Sequence, residues 1–238
     1  MRILAAAFLM IVVLTFAGVG GLLYGFYYFG KDLPEYQKLA DYNPPTVTRI
    51  HAGDGRLMAE FAREKRVFVP ISAMPKRVIE AFLSSEDKTF YTHWGIDLPG
   101  ILRATLTNLR RINTDRRPIG ASTITQQVAK NFLLTNEVSI ARKVKEVILA
   151  LRIERAFSKE KILELYLNEI YLGFGSYGVA AAALNYFDKS LDDLTLAEAA
   201  FLAGLPKAPN NYHPIRKPAA ARARRNYVLN RMAENGYI

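Results

Sequence analysis

A mainly α-helical domain, tethered by one membrane-spanning helix through a small β element, is the fold class this sequence predicts. Three observations predict it. Residues 3–29 carry no charge, strand-like runs flank Asp54-Gly55, and beyond Pro75 apolar residues recur at helical spacing. With 238 residues, 50% of them hydrophobic, the chain can bury one sizeable core beside an anchor. The expected division is an anchor over 1–30, a linker and short β region over 31–72, and a helical domain over 73–238.

The anchor comes first. The uncharged run from Ile3 to Phe29 is dense in Leu, Val, Phe and Ala. At ~1.5 Å rise per residue it reaches ~40 Å, more than the ~30 Å hydrocarbon core of a bilayer. Tyr24, Tyr27 and Tyr28 sit where an interfacial aromatic belt belongs. The α-amine and Arg2 precede the run, whereas Lys31 is followed by Asp32 and Glu35, so the amino end is expected inside and the remainder outside. A cleaved signal peptide has a shorter apolar core, about 7–15 residues. Here the run continues past Ala17-Gly18, which favours an uncleaved anchor.

Residues 32–45 are polar and end in Asn43-Pro44-Pro45, a linker signature. Thr46–Ile50 and Arg56–Phe61 flank Asp54-Gly55, a hairpin signal, and Arg66–Ile71 suggests a third short strand. Helical periodicity then covers about 76–85, 97–112, 123–134, 139–155, 159–170, 176–186, 195–204 and 218–234. In the second of these, Leu98, Ile101, Leu102, Leu106, Leu109 and Ile112 form a stripe bordered by Arg103, Arg110 and Arg111, with Arg116 and Arg117 beyond. Such a helix either lies in a membrane interface or turns its stripe to the core. A second basic run, Arg216 to Arg231, holds six cations and no acid. It reads as a solvated face or as one resting on anionic lipid.

The net charge of +10 calls for an anionic partner: nucleic acid, an acidic membrane surface or a phosphorylated substrate. Nucleic acid is disfavoured because the basic residues would lie outside the cytoplasm. The absence of cysteine excludes disulfides and thiolate metal sites.

Three clusters can carry chemistry. Glu86-Asp87 closes an apolar-faced helix, and an acidic pair there opposes the helix dipole, so local stability does not explain it. Phe90, Tyr91 and Trp94 follow, and aromatic rings can lower the local dielectric and tune a carboxylate. His93 alone reads as a hydrogen-bonded structural residue. The second cluster, Gly120-Ala121-Ser122-Thr123-Ile124-Thr125-Gln126-Gln127 with Lys130, has Thr123 and Gln126 at capping-box spacing. A capped helix start approached by glycine also offers N–H groups and hydroxyls to an anion. A cap alone explains Ser122 and Thr123. It does not explain two adjacent glutamines in an apolar helix, which need polar partners. In the third cluster Arg142 and Glu146 are four residues apart with Lys143 beside them. As a surface pair this would contribute only ~0.3–0.5 kcal/mol.

Together these clusters resemble, in order and spacing, the motifs of glycosyltransferase family 51: E-D-x-x-F-x-x-H-x-G at 86–95, G-x-S-T-x-T-Q-Q at 120–127 and R-K-x-x-E at 142–146. Lys159-x-x-Ile162-Leu163-x-x-Tyr166-Leu167-Asn168 and Gly173 to Gly178 continue the likeness, which runs from about Val47 to Pro214. The anchor, the Thr46–Ile71 region and Leu191–Pro209 look like the amino-terminal part of class A penicillin-binding proteins, close to the 1A type. A transpeptidase would need S-x-x-K with K-T-G. Ser85-x-x-Lys88 and Ser158-x-x-Lys161 fit the first pattern but no K-T-G follows, so no transpeptidase activity is expected of these residues.

The resemblance implies a lysozyme-like helical domain with a membrane-associated subdomain, to which the 98–112 helix would belong. It implies an inverting, β-1,4-forming polymerisation of lipid II, with polyprenyl pyrophosphate as leaving group. Glu86 would be the general base, and Glu146 would hold the donor or a divalent cation. Lys130 and Arg142, with Ser122 and Thr123, would neutralise the pyrophosphate. Asp87, Gln126, Gln127, Lys143 and Asn168 would bind or shape. No cofactor is required; Mg or Mn is compatible, and nothing in the sequence demands it. The implied partners are lipid II, the polyprenyl-linked glycan, membrane lipids, other cell-wall synthesis proteins and moenomycin-type inhibitors. The implied place is the bacterial inner membrane, single-pass, with the domain on the periplasmic side. Two rivals fit parts of the sequence. A lysozyme-like hydrolase would use a glutamate without needing Lys130 and Arg142. A membrane-bound scaffold or nucleic-acid binder would leave the ordered motifs unexplained.

Overall fold

The computed structural model describes residues 2–40, 42, 48–54, 56–61, 65–112, 120–135, 137 and 139–238. Asn43-Pro44-Pro45, the start of the first expected strand, Gly55 of the hairpin signal, and Arg116 and Arg117 lie outside them. Helix α1 (Arg2–Gly30) stands apart from the core. Its Leu4–Gly30 stretch has a mean hydropathy of 2.4 and none of it is buried, as expected of a helix whose solvent is lipid. Arg152 of the domain donates to the carbonyl of Gly30, satisfying one of the unpaired oxygens at the helix end.

Strands β1 (Thr48–His51) and β2 (Leu57–Phe61) form the expected antiparallel hairpin, with its register shifting between Ile50 and His51. The third strand expected over Arg66–Ile71 does not form there: residues 67–70 are irregular, and β3 is Lys65–Arg66. It pairs in parallel with β4 (Ser176–Tyr177), and Ile71–Ala73 turns into a single 3₁₀ turn. That pairing corrects the reading of 176–186 as one helix. Ser176 and Tyr177 are extended, and helix α7 (Val179–Phe187) begins only after Gly178 reverses the chain at φ 80°.

The remaining helices are α2 (Lys76–Glu86), α3 (Leu98–Leu109), α4 (Ile124–Leu133), α5 (Ile140–Ala156), α6 (Lys159–Glu169), α8 (Leu196–Gly204) and α9 (Pro218–Glu234). Side-chain caps start five of them. Asp97, Thr123, Ser139, Ser158 and Thr195 each accept an N–H from the first turn, with full capping boxes at Thr123/Gln126 and Thr195/Glu198. Helix α6 is the core. Ile162, Leu163, Leu165, Tyr166 and Leu167 are all sealed from solvent, and Glu164 and Asn168 between and after them are buried too, so this stretch is enclosed on every side. Helix α4 packs on α5 and α6, and α2 packs on α8 and α9.

Helix α3 is the exception, for it contributes no buried residue. Leu102 keeps 62% of its surface and Ile112 73%, so the stripe does not turn to the core. Gly100, Arg103, Ala104 and Thr107, on the opposite side of the same helix, line a cleft. An apolar band left open on the outside of an otherwise packed domain marks a surface that meets lipid or a partner.

Gly178 holds β4 against α6. A Cβ there would stand 2.6 Å from the Asn168 carbonyl oxygen, and the positive φ already disfavours a side chain. Gly178→Ala is expected to lower stability by about 2 kcal/mol or more, read as a fall in the thermal unfolding midpoint in detergent.

Candidate active site

Glu86 and Asp87 end α2 and point to different tasks. Asp87 is buried, and its carboxylate accepts the Ile124 N–H at 2.9 Å and His93 Nε2 at 2.9 Å. The charge that opposes the dipole of α2 is therefore well placed at the amino end of α4, where N–H groups converge. His93 Nδ1 accepts from the Gly95 N–H at 3.0 Å, which puts the ring proton on Nε2, facing Asp87. Thr123 Oγ1 donates to the Gly95 carbonyl at 2.7 Å while capping α4. Asp87, His93, Gly95 and Thr123 thus lock the end of α2, the following loop and the start of α4 into one unit.

Glu86 is aimed at a cleft. Its Oε2 accepts from Gln127 Nε2 at 3.0 Å, and its side chain keeps 13% of its exposure. Burial raises its pKa above the ordinary 4.5, opposed by the Gln127 hydrogen bond and then by the Arg224 charge. The aromatic residues after it do not enclose it as expected. Phe90 is buried against His93, but Tyr91 and Trp94 are largely exposed. The walls around Glu86 come instead from α4 and α9.

The cleft has a volume of about 230 Å³ and is lined by Glu86, Asp87, Ser122, Thr123, Arg103 and Arg231, among others. Ser122 lies at the edge of a cationic cluster. Its Oγ accepts from Lys143 Nζ at 2.7 Å, and Lys143 Nζ also donates to Glu146 Oε2 at 2.7 Å. Glu146 is buried, and its other oxygen accepts from Arg142. Burial lowers the Lys143 pKa, helped by the positive charges of Arg142 and Lys130. Lys130, one turn after Gln127 on α4, is half-buried and makes no ion pair among the described residues. Two cations thus pair with one carboxylate while Lys130 acts on Lys143, leaving an excess of positive charge beside the cleft.

The candidate residues separate into three groups. Glu86, Asp87, Ser122 and Thr123 line the cleft, with Gln127 bonded to Glu86. Lys130, Arg142, Lys143 and Glu146 form the adjoining cluster, reached through Ser122. Gln126 and Asn168 are occupied elsewhere. Gln126 closes the capping box, and Asn168 is bonded to both backbone groups of Val69 and to the Glu164 carbonyl. With both amide hydrogens donated, its oxygen accepting from Val69 and the residue buried, Asn168 ties β3's exit to α6. Asp87 and Thr123 are likewise engaged in holding the site's frame. Glu146 is the carboxylate expected to take a metal, yet both oxygens face cations. No group of three His, Asp or Glu suited to a metal occurs among the described residues.

Sequence reasoning missed Arg224. It lies in the basic run read as solvated or lipid-facing, but its side chain is only 9% exposed and stands 3.8 Å from Glu86. Its spacing in α9 gave no signal of this.

Comparison with known proteins gives the family. A protein of Rickettsia felis named Penicillin-binding protein 1A is 57% identical over 226 residues, covering 95% of this chain and 29% of that protein. One of the same name from Aquifex aeolicus is 47% identical over 238 residues, 100% of this chain and 32% of that protein. A 2.6 Å crystal structure of Penicillin-Binding Protein 1A from Haemophilus influenzae is 30% identical, with a TM-score of 0.45 over 83% of this chain and 19% of that one. The chain thus spans about three tenths of the length of the curated relatives it matches. Residues 54–233, which include every candidate site residue, match the family described as Transglycosylase, and the chain belongs to that family.

Proposed function

We propose that this chain is a peptidoglycan glycosyltransferase, polymerising lipid II into β-1,4-linked strands with release of polyprenyl pyrophosphate. One observation carries the reading: a partly buried carboxylate, Glu86, opens on the same cleft as Ser122, through which the cationic cluster is reached. A sugar hydroxyl is a poor nucleophile until a base takes its proton. A carboxylate whose pKa is raised above its ordinary value holds an abstracted proton more firmly and is better matched to that task. Gln127 holds one oxygen; the other, met only loosely by Ser85 Oγ at 3.5 Å, is the one that accepts from the acceptor's 4-hydroxyl. As that oxygen bonds to the donor's anomeric carbon, its proton passes to Glu86 and the carbon–pyrophosphate bond breaks on the opposite side. Negative charge then grows on the leaving group, where Lys130, Arg142 and Lys143 with the Ser122 hydroxyl offer compensation. Glu146 keeps Arg142 and Lys143 aligned. No cofactor enters this scheme. A magnesium or manganese ion would have to travel with the pyrophosphate, since both Glu146 oxygens are taken.

The membrane supplies the setting. The apolar α1 and the open stripe of α3 support a domain lying on the outer face of a bacterial inner membrane, where a lipid-linked donor reaches the cleft without leaving the bilayer.

Glu86→Gln is expected to reduce lipid II polymerisation roughly a hundredfold to ten-thousandfold, with folding and lipid II binding retained. Wild-type turnover would remove Glu86 from its role. Lys130→Ala is expected to lower kcat/KM roughly a hundredfold, and unchanged donor kinetics would count against the charge-compensation step. Because the base must be ionised, polymerisation should fall as pH drops through the Glu86 pKa, on a limb above the ordinary 4.5. A rate–pH profile measured in detergent at constant ionic strength checks this.

A further inference from the structure

Of the six cations between Arg216 and Arg231, four lie on α9, and one of these, Arg224, turns its side chain inward. We infer that Arg224 is a positioning residue for the reaction, keeping Glu86 charged and aimed into the cleft from the far end of the sequence. The inference rests on the role given to Glu86 above.

Arg224 is fixed at three points. Its Nε donates to the Gly204 carbonyl at 3.1 Å, where α8 ends, and its Nη2 donates to Ser85 Oγ at 3.0 Å. Its guanidinium carbon lies 4.7 Å from the centre of the Tyr227 ring, within cation–π range. So held, Nη2 stands 3.8 Å from Glu86 Oε1, the oxygen opposite the one bonded to Gln127. The carboxylate is thus fixed on one side by an amide and faced on the other by a charge, which leaves it little freedom to rotate. Gly204 makes this possible. A Cβ at that position would lie 2.9 Å from Arg224 Cγ, so the arginine stem passes where only glycine leaves room.

The other groups around Glu86 do not replace this contact. Lys207, beyond α8, acts on it more weakly than Arg224 does. Tyr166 of α6 offers no positive charge, and Asp87 is turned to α4. Arg103 and Arg231 line the cleft, and Arg231 is paired with Glu234. Arg224 is also a fork rather than a point charge. One guanidinium grips the end of α8 and the end of α2 together, a geometry that lysine cannot reproduce.

The test uses the full chain in detergent and two readouts. One is the pH profile of kcat/KM for lipid II polymerisation. The other is the titration of the Glu86 carboxyl carbon by NMR, identified as the signal missing from Glu86→Gln. Removing a facing positive charge makes ionisation harder, so Arg224→Gln should move the acidic limb and the titration midpoint upward together by about one pH unit. Arg224→Lys, which keeps the charge, should leave the midpoint near wild type while lowering kcat. Gly204→Ala, which displaces the arginine without removing it, should move the midpoint in the same direction as Arg224→Gln. A midpoint unchanged in both Arg224→Gln and Gly204→Ala would overturn the proposal, even with reduced activity, because packing alone would then explain Arg224. A midpoint that moves while the rate profile stays put would instead overturn the assignment of Glu86 as base, and this inference with it.

Discussion

Everything at the cleft is referred to the Asp87 carboxylate. It accepts one hydrogen bond from the first turn of α4 and one from His93, and those two bonds set how α2 meets α4. Glu86, the preceding residue, is thereby presented to Gln127 one turn into α4, and Ser122, just before the helix, is carried to the other side of the opening. A buried carboxylate stripped of its donors would be costly, so the arrangement is self-enforcing: the chain gains the bonds only by adopting the geometry that aims Glu86.

Two carboxylates adjacent in sequence therefore live in opposite environments. Asp87 is saturated with donors and belongs to the frame. Glu86 has one amide, the distant Ser85 hydroxyl, one neighbouring arginine and a share of solvent, and its proton affinity is raised. The same division recurs between α5 and α4. Glu146 is consumed by Arg142 and Lys143 and serves to array them, whereas Lys130 keeps its charge uncommitted among the described residues. The site combines fully bonded groups that fix positions with partly bonded ones that remain able to react.

Local signals were legible in the sequence, and long-range ones were not. Helix starts follow from Thr123, Ser139, Ser158 and Thr195 because a cap acts over three residues. Of the two glutamines that a cap alone is not expected to explain, Gln126 is taken up by the capping box after all, and Gln127 bonds to Glu86. The β3–β4 pairing joins residues over a hundred positions apart, and its two-residue strands are too short for a period to emerge. Arg224 is hidden for a related reason. Its meaning depends on the packing of α9 against α2 and α8, and its neighbours in α9 are ordinary surface cations. The motif likeness brought Asn168 forward as a ligand residue, while its hydrogen bonds show a strut between β3's exit and α6.

Helix α3 has one side on the cleft and its reverse bare and oily. Seated on a bilayer, such a wall would make supply a matter of surface density. Molecules per unit area of leaflet, diffusing in two dimensions, would govern how often the cleft fills, and dilution of the surrounding water would scarcely matter.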